Sequence, residues 1–256
     1  MGKGGTDVAR SAAAMILTDD NFATIAAAVE EGRGVYDNLV KFIAWTLPTN
    51  GGEGAVLLAA IAFGTELPAL PVQLLWVNMM TAVLLGVTLV FEPREPGLTA
   101  RPPRPVDEPI LDAGLGLHTA LVSLALGGAA FGAFGWAQAR GLSDEQARTI
   151  AVNMIVVTEV GHLFACRSLR LTLLRVGLFS NPWVFVGATL TLAAQLAFTY
   201  LPAMNRLFHT APIEPFWWAV MTAVGAFIFV AAEAKKLASR APAARALAGR
   251  PGAVRA

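Results

Sequence analysis

Six long apolar stretches constrain the fold of this 256-residue chain more than any other feature. Each is close to the 20 or so residues that an α-helix needs to cross the hydrocarbon core of a bilayer. The chain is also 55% apolar and only 14% charged, whereas soluble domains carry about 25% charged residues. We therefore predict an all-α membrane protein with six transmembrane helices. The predicted spans are residues 39–64, 70–91, 113–138, 147–165, 183–201 and 216–234.

The distribution of basic residues predicts the orientation of the chain. Lysines and arginines near the ends of spans stay preferentially in the cytoplasm. With a cytoplasmic amino terminus, 16 of the 19 basic residues fall on the cytoplasmic side, and only Arg140, Arg148 and Arg206 fall on the other side. This asymmetry favours an even number of spans with both termini in the cytoplasm.

The segments that flank the spans are predicted to lie in the cytoplasm. Residues 1–21 combine a short helix, an apolar run at 15–17 that suits a buried strand, and a polar turn that caps the next helix. They predict a short α/β segment. Residues 22–38 predict a helix that continues into the membrane domain, 39–237. The tail, 238–256, is rich in Ala, Arg, Pro and Gly and is predicted to be disordered.

Only two acidic side chains fall clearly inside the predicted spans, Glu53 and Glu159. An acidic residue at the bilayer centre costs about 2.5–3.5 kcal/mol on insertion scales, so it usually faces the interior of a bundle and marks an ion path. Asn50 precedes Glu53 by three residues, and Asn78 and Thr81 have the same spacing, so each pair shares a helix face. These carboxylate, amide and hydroxyl oxygens are hard ligands for calcium, magnesium or alkali ions.

The same regions also allow structural interpretations. A lone membrane Asn or Thr more often hydrogen-bonds a neighbouring helix, and Glu159 could pair with His162, one turn later. Pro48 frees a backbone carbonyl beside the candidate ligands, and the membrane tolerates such a group where protein, water or an ion replaces the lost bond. Gly128 and Gly132 have the small-residue spacing that lets two helices approach closely.

Several motifs occur in one order along the chain: MGKGGTDVAR at 1–10, MILTDDNF at 15–22, VEEGR at 29–33, QLLWVN at 73–78 with Thr81, and RPPR at 101–104. This series resembles the carboxyl-terminal portion of type II P-type cation-transporting ATPases, especially calcium pumps. The similarity covers nearly the whole chain. It implies that the six spans are the last six of ten in a cation translocase. It also implies that residues 1–21 are a remnant of the end of the cytoplasmic phosphorylation domain, and that residues 22–38 are the cytoplasmic stalk of the fifth helix.

The resemblance also implies which residues bind the transported cation. In calcium pumps of this family the fifth helix supplies an Asn and a Glu, the sixth an Asn, a Thr and an adjoining Asp, and the eighth a Glu. Ala82 stands at the position of that Asp. The loss of one acid favours a single calcium, or another cation, over two divalent ions per cycle. The implied metal ligands are Asn50, Glu53, Asn78, Thr81 and Glu159.

The family's DKTGT, TGES and GDGxND motifs do not occur in the sequence. Alone, the chain is therefore not expected to hydrolyse ATP, and no cofactor is predicted for it. Magnesium and ATP are implied for the full-length parent. The implied partners are the transported cation, membrane lipid and an amino-terminal part with the nucleotide and actuator domains and four spans; no nucleic acid is expected.

We expect the chain to be a fragment of such a pump. Its bias towards arginine and alanine suggests a GC-rich bacterium and hence a multi-pass protein of the bacterial plasma membrane. Two alternatives stay open. One is a stand-alone six-span ion channel or carrier, and the other is a structural half-subunit of a split pump.

Overall fold

The computed structural model describes residues 3–105, 107 and 109–248. All regular structure within these residues is helical. The nine α-helices, with a 3-10 segment at Gly86–Phe91 between the third and fourth, are α1 (Asp7–Ala12), α2 (Ala23–Phe63), α3 (Pro71–Leu84), α4 (Ala113–Ala139), α5 (Asp144–Cys166), α6 (Leu173–Val176), α7 (Pro182–Tyr200), α8 (Pro202–Phe208) and α9 (Pro215–Ala248).

Five helical segments in the described part of the chain are long and apolar enough to cross a membrane. They correspond to the second to sixth predicted spans. The first predicted span lies in α2 and is not among the five, because Pro48, Asn50 and Glu53 lower its apolar character. The six-span count is therefore not confirmed. The five segments are Pro71–Phe91, Ala113–Ala139, Asp144–Cys166, Pro182–Tyr200 and Pro215–Ala238.

Helix α2 is a single rod that joins the predicted stalk to the predicted first span. It contains 41 residues, which corresponds to about 62 Å at the usual rise per residue. Its start is organised by the preceding polar turn, where the side chain of Asn21 accepts a hydrogen bond from the Ala23 amide at 3.0 Å. The Thr24 hydroxyl donates to Asp19 and lowers the pKa of that carboxyl group.

The predicted strand at residues 15–17 is wrong. This segment has no regular structure, and Met15 and Ile16 are 62% and 44% exposed. A strand needs a neighbour to pair with its backbone N–H and C=O groups, and none occurs in the described residues. The helical part of the predicted remnant is present as α1, whose Thr6 side chain accepts a hydrogen bond from the Ala9 amide; the α/β character is not confirmed.

The last helix reaches into the first part of the predicted tail. Helix α9 continues through Ala248. Alanine and arginine are among the strongest helix formers, and they extend the last span beyond its apolar part. Residues 249–256, the rest of the predicted disordered tail, lie outside the described residues.

Helix α5 is the centre of the bundle. It contacts α2, α3, α4, α7 and α9, and most of its residues are buried. A capping box forms its start: Ser143 and Gln146 each accept a hydrogen bond from the backbone amide of the other.

Glycines set the closest helix contacts. A Cβ atom on Gly127 of α4 would lie 2.8 Å from the carbonyl oxygen of Gly52 on α2, so only glycine fits there. Gly128 and Gly132, the predicted contact pair, would meet no atom within 4 Å. That prediction is wrong by one residue, because the face of α4 that meets α2 carries Gly127.

A buried ion pair joins three helical segments. The Arg167 guanidinium, just after α5, donates to Glu92 at 2.7 Å, and both side chains are fully buried. Arg167 also donates to Ser180 and to the carbonyl of Leu178, while Asn181 donates to Glu92. The pair therefore ties the end of the 3-10 segment to the end of α5 and the start of α7.

Candidate cation-binding site

The first part of the site joins α2 to α3. The Asn78 amide donates hydrogen bonds to the Glu53 carboxylate and to the carbonyl oxygen of Leu74, the latter at 3.1 Å. The Glu53 residue is only 6% exposed. Since the preceding turn of α3 fixes the amide through Leu74, the Asn78 side chain holds the carboxylate at a defined position between the two helices.

The second part of the site lies on α5. Glu159 is 1% exposed, and its Oε2 atom has no hydrogen-bond partner in the described part of the chain. Thr81 of α3 and Glu53 of α2 lie close enough to the Glu159 carboxyl group to interact with it electrostatically. A buried carboxyl oxygen without a donor is costly, so this position suits a bound cation or a proton.

Four of the five predicted ligands therefore come together, and one does not. Glu53, Asn78, Thr81 and Glu159 meet where α2, α3 and α5 pack. Asn50, one turn before Glu53, is exposed. Ala82, which follows Thr81, is exposed as well. The shared helix face predicted for Asn50 and Glu53 is not enough to place both inside this bundle.

A backbone carbonyl next to the site is satisfied by protein. Pro48 has no N–H to donate to Ala44, the residue four positions earlier. The carbonyl oxygen of Ala44 instead lies 3.3 Å from the His162 Nε2 atom and 3.7 Å from the Cys166 Sγ atom. His162 is therefore occupied by α2, and the structural interpretation in which it pairs with Glu159 is wrong.

The sequence analysis does not predict this role of His162, although the sequence contains an indication of it. A proline at position 48 identifies Ala44 as the carbonyl in need of a donor, and a buried histidine in another span is a suitable donor. Ser123 of α4 makes a related contact, since its hydroxyl donates to the carbonyl oxygen of Pro48 at 3.1 Å. Two neighbouring helices thus stabilise the proline-containing turn.

The chemistry of the four grouped side chains limits which ions they suit. They offer two carboxylates, one amide oxygen and one hydroxyl, which are oxygen ligands for hard cations. No group of three or more His, Cys, Asp and Glu side chains with metal-binding geometry occurs in the described residues. Calcium takes about six to eight oxygens, so these side chains form part of a coordination shell.

Comparison with known proteins identifies the family. Residues 66–238 match the family described as "Cation transporting ATPase, C-terminus". The chain belongs to the cation-transporting ATPases. Because the match covers α3 to the membrane part of α9, it includes three of the grouped side chains, Asn78, Thr81 and Glu159.

Individual cation-transporting ATPases match over most of the chain. "Probable cation-transporting ATPase F" of Mycobacterium tuberculosis is 54% identical over 230 residues, covering 90% of this chain and 25% of that protein. A cation-transporting ATPase of Synechocystis is 40% identical over 226 residues, covering 86% and 25%. A calcium-transporting ATPase of Bacillus subtilis is 35% identical over 232 residues, covering 88% and 25%.

These matches confirm the family that the sequence motifs indicate. The chain spans about a quarter of the length of the curated relatives it matches. It corresponds to the carboxyl-terminal membrane part of a P-type cation-transporting ATPase.

Proposed function

We propose that this chain supplies part of the membrane cation site of an ATP-driven pump. Glu53 and Glu159 provide negative charge, and Asn78 and Thr81 provide neutral oxygens. The observation that carries the proposal is the contact of Asn78 with Glu53 beside the buried Glu159 carboxyl, whose Oε2 atom has no donor in the described residues. A cation between the two carboxyl groups would compensate their charge.

Helix α2 is suited to couple this site to the rest of the pump. It runs without interruption from Ala23 to Phe63 and carries Glu53. Its amino-terminal half is tied to the segment after the 3-10 helix by ion pairs of Asp37 with Arg101 at 2.6 Å and of Lys41 with Glu95 at 3.6 Å. In the proposed mechanism, phosphorylation elsewhere in the complete pump tilts this rod, and Glu53 moves relative to α3 and α5. The site then opens alternately to the two sides of the membrane.

Calcium, or another hard cation, is the proposed cargo. The ligand chemistry and the calcium-transporting name of the Bacillus subtilis relative support this choice. Ala82 leaves two carboxylates in the group, so we propose one divalent ion per cycle, or a different cation, rather than two divalent ions. Asn50 remains a proposed ligand, which a small rotation of α2 would turn towards the position of Glu53.

The proposed setting is the plasma membrane of a bacterium. The membrane part of α2 would be the first of six spans, with both termini in the cytoplasm, and the distribution of basic residues supports this topology. The bacterial relatives support the bacterial setting. The proposed partner is an amino-terminal part of the pump, which would bind magnesium and ATP. The chain alone is not proposed to hydrolyse ATP.

Phosphorylation of the complete pump by ATP tests the proposal. We expect a covalent phosphoenzyme whose level depends on calcium or another hard cation, measured at constant magnesium with calcium, manganese, sodium and potassium in turn. Phosphorylation that is unaffected by all four cations would contradict the proposal. The chain alone in liposomes should show no ATP-independent ion flux, since such flux would favour the channel or carrier alternative. Recovery of activity only with a separately encoded amino-terminal protein would favour the half-subunit alternative.

A further inference from the structure

A large cavity lies at the opposite end of α2 from Phe63. Its volume is about 1040 Å³, and it is lined by residues of α2, α4, α5 and α9 and by residues of the connecting segments 95–105 and 109–112. Arg33 and Lys41 lie on one wall, and Lys235 lies on another. None of the four grouped side chains of the cation site lines the cavity, but His162 and Cys166, which contact the Ala44 carbonyl, form part of its wall.

The cavity lining is strongly basic. Seven basic and three acidic residues line it. The acidic groups are already engaged: Asp37 and Glu95 pair with Arg101, and Asp112 accepts a hydrogen bond from the Leu115 amide. The seven basic and three acidic side chains give the lining an excess of basic groups, of which Lys236 is paired with Glu233 outside the lining. Such a cavity attracts an anionic group.

Apart from Tyr36, His118 and His162, most of the remaining lining is apolar. Val40, Leu98, Leu115, Leu169 and Ala232 are among the residues that form it. The combination of a basic part and an apolar part suits a molecule that carries an anion next to hydrocarbon. A free phosphate ion would use only the basic part.

The position of the cavity identifies the ligand class. Lys235 lies near the end of the span Pro215–Ala238, which places the basic residues at the level of lipid headgroups. Basic pockets between transmembrane helices at this level bind the headgroups of anionic lipids. The Lys235 side chain is exposed and forms no ion pair within the described residues, so its ammonium group is available to a phosphate.

We propose that this cavity binds an anionic phospholipid. The lipid phosphate lies near Lys235, and the glycerol and the first methylene groups pack against Leu98 and Leu115. This inference does not depend on which cation the pump transports. It assigns the cavity to a lipid with a net negative charge, such as phosphatidylglycerol, rather than to a zwitterionic lipid.

Native mass spectrometry of the delipidated chain in detergent tests the assignment. Phosphatidylglycerol should bind more tightly than phosphatidylcholine, and Lys235→Gln should weaken phosphatidylglycerol binding by about fivefold, the effect of one basic residue near a lipid surface. Arg206→Gln, which changes a basic residue in α8 away from the cavity, is the matched control and should leave binding unchanged. Equal binding of the two lipids would overturn the proposal.

A second variant tests the cavity itself. Gly32 lines it, and a Cβ at this position would meet no atom within 4 Å, so Gly32→Phe can fill the space without displacing the helix backbone. It should remove the preference for phosphatidylglycerol, and unchanged binding would contradict the assignment.

Competition by soluble phosphates is a separate test. Glycerol phosphate and inorganic phosphate, added separately in millimolar excess, should not displace the lipid. Displacement by either would instead identify a site for soluble phosphates.

Discussion

The His162 ring of α5 and the Ala44 carbonyl of α2 form a buried contact between helices, with 3.3 Å between Nε2 and the oxygen. This carbonyl is the one that Pro48 leaves without a helical donor. Because Glu159 lies one turn from His162, the contact also fixes the part of α5 that carries the second carboxylate. The proline-containing turn and the candidate cation site are thus joined through one side chain.

Replacement of His162 tests this contact. His162→Ala should lower the free energy of unfolding, because the buried Ala44 carbonyl loses its nitrogen donor, at a cost of about 1–3 kcal/mol for the orphaned group. Pro48→Ala restores a backbone N–H that can donate to the same carbonyl. The His162→Ala change should therefore cost less in a Pro48→Ala background than in the native chain.

A double-mutant cycle measures the coupling, with denaturant unfolding of the detergent-solubilised protein as the readout. His118→Ala is the control, since the His118 ring packs against His162 with 5.7 Å between centroids but does not reach Ala44. Strict additivity of Pro48→Ala and His162→Ala would show that the histidine does not compensate for the proline.

Alanine substitutions at two neighbouring glycines of α4, Gly127 and Gly128, should change the stability of the protein in opposite directions. A Cβ on Gly127 would lie 2.8 Å from the Gly52 oxygen and 3.0 Å from the Ala55 Cβ, so Gly127→Ala should force α2 and α4 apart and destabilise the protein by about 1–3 kcal/mol. Gly128→Ala meets no atom within 4 Å and should stabilise the helix by roughly 0.5–1 kcal/mol. Thermal unfolding compares them directly. Equal destabilisation by both variants would argue against this helix contact.

Replacing only one partner of the buried Arg167–Glu92 ion pair should lower the stability of the protein. Arg167→Met leaves Glu92 charged and buried, with an expected loss of about 3–5 kcal/mol in stability. The double variant with Glu92→Met should recover part of this loss, because no unpaired charge remains. Unfolding in denaturant provides the measurement.

The control for the buried pair is a more exposed one. Arg148 pairs with Glu66 at 3.1 Å, and the Glu66 side chain is 64% exposed. Pairs of this kind contribute about 0–1 kcal/mol, so Glu66→Gln should have little effect on stability. A loss from Arg167→Met no larger than that from Glu66→Gln would contradict the structural importance of the buried pair.

The length of the apolar runs predicts most of the helices. It fails where polar residues interrupt a span, and where a predicted strand has no partner strand. Five spans follow from apolar runs alone. The membrane part of α2 is harder to identify because Asn50 and Glu53 reduce its apolar character. The strand predicted at 15–17 shows a different limit: a short apolar run resembles a buried strand, but no partner strand occurs in the described residues.

The candidate site is only partly predictable from spacing. A carboxylate inside a span indicates an interior position, and this locates Glu53 and Glu159. Helix periodicity groups residues on one helix, but it does not determine which neighbours cover that face. This is why Asn50 is exposed while Asn78 reaches Glu53. For the same reason, spacing predicts that Gly128 lies in a close helix contact, whereas the neighbouring Gly127 makes the contact with α2.

Whether Glu53 binds the transported cation can be measured by cation-dependent phosphorylation of the complete pump carrying Glu53→Gln. The substitution keeps the shape of the side chain but removes its charge. We expect the cation concentration for half-maximal phosphorylation to rise by about tenfold or more, the equivalent of roughly 1.4 kcal/mol, or phosphorylation to be lost, while Glu66→Gln in the exposed loop leaves it unchanged. An unchanged cation dependence in Glu53→Gln would contradict the assignment of this carboxylate to the site.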